Sequence, residues 1–273
     1  MRVFKYAVIL IFTCFIVTAC TKYYGYGING VSPVHFDKSI GMDSISMPIT
    51  VSGSYSNTFM KMFHQNEFSH HGALAVSGRK QMDMLNFFYG GHGYFGNYHT
   101  FNNQEVIVGK DNDVPPVKTN FDYNHQFYGG GLSAEMDVNF KYMNSNYYYG
   151  IQPNVYIEAG SFSRFRDSIS AIKDTLGWIR HQYINLGNSP LGASLVFVSG
   201  AMGHADGMTY GGESSIGTCT AIPLYSKISN PTFDMIFGVK IFLKKNSLSY
   251  FGQFSGSYYS GGALTVGIAY SFW

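Results

Sequence analysis

The chain has 273 residues, of which 12% are charged, about half the ~25% usual in soluble proteins. So few charges exclude a solvated, disordered chain, and a net charge of +2 with no basic block excludes nucleic acid as a partner. A mean hydropathy of −0.03 excludes a helical membrane protein, because each helical span needs ~20 consecutive apolar residues. Gly (32), Tyr (22) and Phe (23) are abundant, while Trp (2) and Pro (8) are few, which points to an all-β chain.

At the N-terminus, Arg2 and Lys5 precede an apolar run from Ala7 to Val17, followed by Thr18, Ala19 and Cys20. That order describes a secretory signal. Val17-Thr18-Ala19-Cys20 resembles the bacterial lipobox, an aliphatic residue and two small ones before Cys. The resemblance implies cleavage after residue 19, a diacylglycerol thioether on Cys20, and the lipoprotein-processing machinery as a partner. That covalent lipid is the one expected cofactor. Acyl chains at ~0.8 kcal/mol per buried CH₂ would hold the mature chain on a membrane. The alternative is a plain signal peptide with an incidental Cys. Thr21 is not the Asp that retains some lipoproteins at the inner membrane. Cys14 falls in the leader, so Cys219 is left without an intramolecular disulfide partner once Cys20 is acylated.

Residues 20–46 are expected to form an acylated polar tether, with Gly25, Gly27, Gly30, Pro33 and Gly41 spread through it. From residue 47 the period becomes two. Met47, Ile49, Val51 and Tyr55 alternate with Pro48, Thr50, Ser52 and Ser54. Further on, Ala134, Met136, Val138, Phe140 and Tyr142 alternate with Glu135, Asp137, Asn139 and Lys141, as a strand with one dry face requires. The same pattern recurs at 147–159, 233–241 and 263–272. The predicted strands are 47–56, 71–78, 84–98, 125–142, 147–161, 176–186, 192–203, 232–243, 248–258 and 262–272. Residues 209–222 are a further candidate. Phe165, Ile169, Ile172 and Leu176 have helical spacing and suit a short loop helix.

Alternation fits either a soluble barrel with its apolar face inward or a membrane barrel with that face outward. Three features favour the second. Leu264, Val266, Ile268, Tyr270 and Phe272, followed by Trp273, resemble the terminal insertion signal of bacterial outer-membrane β-barrels. Short and long connections alternate, as in barrels with short periplasmic turns and long external loops. Aromatic runs at Phe87-Phe88-Tyr89, Tyr147-Tyr148-Tyr149 and Tyr258-Tyr259 fall at strand ends, where interfacial girdles lie. The resemblance implies an antiparallel transmembrane β-barrel over 47–273, of about ten strands and within eight to twelve. It implies a lipid-anchored place in the bacterial outer membrane, with outer-membrane lipid and the barrel-assembly machinery as partners.

Glu135, Asp137, Lys141, Glu158 and Lys240 lie on polar strand faces and are expected to point into the lumen and pair there. His204 and Asp206 are the best catalytic candidates, placed by the predicted strands at the external rim, but their surroundings match no barrel-enzyme motif. His64, His70 and His71, with Glu67, are weak candidates for a metal in the first external loop. The leading reading is a structural or surface-interaction barrel working through external loops, chiefly 99–124 and 204–231, with a loop partner the sequence does not identify. The alternatives are a barrel enzyme acting on lipids or peptides, a lipid-anchored soluble β-domain binding a small ligand, and a narrow channel.

Overall fold

The computed structural model describes residues 22–24, 32–38, 48–61, 65–82, 84–101, 104–107, 117–120, 124–143, 145–164, 183–185, 191–221, 233–257 and 261–272. Ten strands close into one antiparallel barrel: β1 (Ile49–Lys61), β2 (Gln65–Met82), β3 (Leu85–Phe101), β4 (Asn124–Tyr142), β5 (Ser145–Gly160), β6 (Leu191–Ala205), β7 (Met208–Ala221), β8 (Phe233–Lys245), β9 (Leu248–Ser257) and β10 (Gly261–Phe272). Each strand pairs with its neighbour in sequence. β10 closes on β1 through partners that run from Phe272 against Ile49 to Gly262 against Phe59. Two small ladders lie apart from the barrel. Gln104–Ile107 pairs with Val117–Asn120, and Lys22–Tyr24 pairs in parallel with Tyr183–Asn185.

The sidedness of the wall is the reverse of a soluble barrel's. On β4 the carboxylates Glu135 and Asp137 are 1% and 0% exposed, while Met136 and Val138 between and beyond them are 52% and 48% exposed. The same inversion holds around the ring. Leu74, Leu132, Ile157, Phe197, Ile216, Ile241 and Val266 all face outward, whereas Ser52, Ser77, Ser194, Lys240 and Ser271 are buried. An apolar surface running round the whole molecule far exceeds the few hundred Å² that soluble monomers expose. A bilayer satisfies it, and closure leaves no unpaired edge in the lipid. The fold is an antiparallel transmembrane β-barrel of ten strands.

One end of the barrel carries tight turns, between Met82 and Leu85, Tyr142 and Ser145, Ala205 and Met208, and Lys245 and Leu248; β1 starts there and β10 ends there. The other end carries the connections 62–64, 102–123, 161–190, 222–232 and 258–260. We call these the short-turn end and the long-loop end. Asp206 and Gly207 (φ 51° and 72°) form a two-residue hairpin turn with both centres left-handed, the arrangement that Asp-Gly favours.

One of the ten strands differs from the ten predicted. Of residues 176–186 only Tyr183–Asn185 are described, in the small ladder and not in the barrel. β7 takes the place instead. Its weak alternation has a steric cause. At Gly211 an added Cβ would come within 2.4 Å of the Phe242 ring, and at Gly217 within 2.2 Å of the Leu195 carbonyl oxygen. Glycine carries no hydropathy signal, so the strand reads faintly. Without a barrel strand between them, β6 follows β5 directly and descends to the short-turn end.

Strands are longer than the alternation implied, so 57–70 is not a long loop. β1 and β2 cover most of it and leave 62–64 as the connection. A helical turn at 161–164 follows β5, and Phe165, Ile169, Ile172 and Leu176 lie outside the described residues. The leader, Cys20 and Trp273 lie outside them as well.

Candidate functional site

A ten-stranded barrel is only slightly wider than the eight-stranded kind, whose interior side chains alone can fill. Here the chain supplies more. Residues 32–38, Ser-Pro-Val-His-Phe-Asp-Lys, pass through the lumen, and Val34, His35, Phe36, Asp37 and Lys38 are all buried. This segment was expected to be part of a polar tether. Inside a lumen both of its sides meet protein, so apolar and charged residues are needed on each side and no amphipathic period results.

Lys38 is the centre of the arrangement. Its ammonium donates to Glu135 and, at 2.7 Å, to Asp137 Oδ2. The Phe88 ring centroid lies 4.3 Å away and that of Tyr148 5.0 Å, within cation–π range. Phe88 and Tyr148 are the middle residues of two aromatic runs. Their neighbours Phe87, Tyr89 and Tyr149 point outward, so period two divides each run between girdle and lumen. Tyr258 and Tyr259 lie outside the described residues.

Further contacts fasten the segment. Asp37 Oδ2 accepts from Lys244 Nζ at 2.5 Å and from Ser271 Oγ at 2.6 Å, next to the short-turn end. The His35 ring stacks on Phe251 with centroids 4.5 Å apart and planes 3° from parallel, while Ser77 Oγ donates to the His35 carbonyl at 3.1 Å. Ser32 and Ser133 share a hydroxyl hydrogen bond of 2.6 Å. Beside the segment, Lys240 Nζ pairs with Glu213 Oε1 at 2.9 Å, and Tyr148 OH donates to Glu213 Oε2 at 3.1 Å.

The candidate lumen charges are therefore distributed as follows. Glu135 and Asp137 meet Lys38, a partner from the segment ahead of the barrel and not another wall residue. Lys240 meets Glu213. Glu158 is fully buried on β5, whereas Lys141, near the β4–β5 turn, is exposed. Lys38, Asp37, Glu213 and Lys244 were not singled out from sequence. Lys38 and Asp37 sat in the supposed tether, Glu213 in the faint strand, and Lys244 one position beyond the predicted strand end at 243.

Chemically, the cluster is closed. The Lys38, Glu135 and Asp137 side chains are at most 2% exposed, so no substrate reaches them. The group packs the segment against the wall and pairs its charge.

The weak candidates end up apart. His204 and Asp206 are at the short-turn end, opposite the expected external rim. His204 Nδ1 lies 3.2 Å from Thr209 Oγ1, its cross-strand partner, and Asp206 occupies the tight turn. His64 lies outside the described residues. His70 and His71 are on β2 with opposite facing: His71 is buried in the lumen, and His70 stacks outward with His99 at 5.4 Å. Among the described residues, no group of three His, Cys, Asp or Glu converges as a metal site.

No protein-family profile and no curated protein matches the sequence. Solved structures with a similar fold include the β domain of the Bordetella autotransporter BrkA, at 10% identity and TM-score 0.39 over 83% of this chain and 99% of that one. An outer membrane channel from Pseudomonas putida F1 is similar at 8% identity and TM-score 0.40, over 91% and 100%. The outer membrane protease OmpT of Escherichia coli is similar at 8% identity and TM-score 0.36, over 86% and 99%.

Proposed function

We propose that this chain is a bacterial outer-membrane β-barrel, closed by its own N-terminal segment, that acts as a structural or surface-interaction protein through its long-loop face. The observation that carries this reading is the clamped segment 32–38. A lumen filled by its own chain, and held by Lys38 on Glu135 and Asp137 and by Asp37 on Lys244 and Ser271, is not built to conduct or to admit a substrate. The three longest connections, 102–123, 161–190 and 222–232, leave from one end and form the contact surface. Residues 204–207, earlier counted with that surface, belong to the opposite end. By the usual sidedness of such barrels the long-loop end faces outside.

In this reading Cys20 carries the covalent lipid, and the lipoprotein-processing and barrel-assembly machineries deliver the chain to outer-membrane lipid. The test is conductance in planar bilayers together with electrophoresis of unboiled samples. Wild type should run as a compact, heat-modifiable band and be electrically silent. A variant with residues 32–38 replaced by Gly and Ser should stay heat-modifiable and show discrete conductance. A conducting wild type would overturn the plugged reading.

A further inference from the structure

The segment in the lumen has a direction, and β4 serves as its ruler. β4 descends from Asn124 at the long-loop end to Tyr142 at the short-turn end. Ser32 touches it at its middle, on Ser133, whereas Lys38 touches it lower, on Glu135 and Asp137. Asp37 agrees with this descent. Its partner Ser271 is the last residue but one of β10, and its partner Lys244 immediately precedes the β8–β9 turn region. Going from residue 32 to residue 38, the chain moves toward the short-turn end, where β1 then starts.

The opposite direction leads to the long loops. Lys22, Tyr23 and Tyr24 pair in parallel with Tyr183, Ile184 and Asn185. Those residues belong to the connection between Gly160 of β5 and Leu191 of β6, at the long-loop end. From Tyr24 to Ser32 the chain can span at most ~3.3–3.6 Å per residue. That suffices to go from mid-lumen to the mouth, about half of a ~30 Å hydrocarbon core.

We infer that the chain threads its own N-terminus through its barrel, so that residues 22–24 are displayed on the long-loop face as a strand added to the β5–β6 connection. Calling that face external rests on the function proposed above. Cys20 precedes Lys22 by two residues in sequence, so an acyl group there travels to the same face. The barrel is the conduit, and the lipid and the N-terminal strand are what it presents outside. The partner this display suits is the outer surface of the same membrane, entered by the acyl chains from without.

The experiment is thiol labelling of whole cells with a membrane-impermeant maleimide, in a Cys219→Ala background whose own labelling is subtracted. Tyr23→Cys and, as a second variant, Lys22→Cys report the N-terminal strand. Arg164→Cys reports the long-loop end and Ser247→Cys the short-turn end, and each variant is first checked for heat-modifiable folding. Tyr23→Cys labelling on intact cells to the same extent as Arg164→Cys, with Ser247→Cys labelled only after lysis, is the expected result. Labelling of Tyr23→Cys and Lys22→Cys only after lysis, in step with Ser247→Cys, would overturn the threading. If Arg164→Cys proves protected and Ser247→Cys reactive, the external assignment of the long loops fails instead. The threading then still stands or falls on which of the two the N-terminal thiols follow.

Discussion

Lys38 and Asp137 are 99 positions apart in sequence and meet at 2.7 Å inside the barrel. Asp137 belongs to a membrane-spanning strand, and Lys38 to the segment that precedes the barrel. Neither has a reason to be buried alone, since an uncompensated charge in a low-dielectric interior costs several kcal/mol. Together with Glu135 they tie the N-terminal segment to the wall and add to the barrel's stability.

Breaking that tie should be expensive. Lys38→Ala leaves Glu135 and Asp137 facing each other with no cation between them, and should lower unfolding stability by about 3–5 kcal/mol. Denaturant titration of the refolded barrel, read by loss of the heat-modifiable band, checks this. Lys38→Met combined with Glu135→Gln and Asp137→Asn removes the charges together and should recover most of the loss. Equal instability of the single and triple variants would show that the ion pairs themselves, and not merely the absence of stranded carboxylates, hold the segment.

A glycine opposite Asp137 makes the contact possible. Gly150 is its ladder partner on β5, and a Cβ there would lie 2.0 Å from Asp137 Oδ1. Gly150→Ala should push the Asp137 carboxylate off its position and weaken its hold on Lys38. The expected outcome is a loss of stability that largely disappears when Asp137 is already Ala, a non-additive pair in a double-mutant cycle. Additive losses would mean that the glycine serves the backbone alone.

Much of the wall is legible in the sequence because period two survives wherever outward residues are large. Leu264, Val266, Ile268, Tyr270 and Phe272 are all outward on β10, and Met136 and Val138 place Glu135 and Asp137 on the opposite face by spacing alone. β7 is faint because Gly211 and Gly217 make room for neighbouring chain where an ordinary strand would show side chains. The lumen segment is not legible at all. Phe36 and Lys38 lie toward Phe88 on one side while His35 and Asp37 meet Phe251 and Lys244 on the other, so both sides are protein and no solvent side exists to give a pattern. The facing of His204 and Asp206 depended on strand count: one strand misplaced between β5 and β8 sends the turn to the wrong end.

The C-terminal strand should matter more for assembly than for the finished barrel. Phe272 is 53% exposed and its ring packs edge-on against Tyr270 at 4.9 Å, facing outward. Phe272→Ala, made together with Trp273→Ala, removes a ring that packs little inside the molecule. The expected outcome is a large fall in barrel level in outer membranes, with the purified variant refolding in detergent close to wild type. Unchanged levels in membranes would count against an insertion signal at this end.

Leu74 gives the sharpest test of what surrounds the barrel. It is 71% exposed near the middle of β2, with Gly53 and Gly93 as its ladder partners. On a soluble protein, Leu to Arg at so exposed a site would change stability by no more than about 0.5 kcal/mol. At the midplane of a bilayer the same change costs about 2–4 kcal/mol, because the guanidinium must be drawn into hydrocarbon or bend toward the headgroups. Leu74→Arg should therefore destabilise the barrel by that larger amount in phospholipid vesicles, measured by denaturant titration. Arg placed at Tyr142, close to the short-turn interface, should cost only about 0–1 kcal/mol. Equal and negligible costs at both positions would place water, not lipid, around the apolar wall.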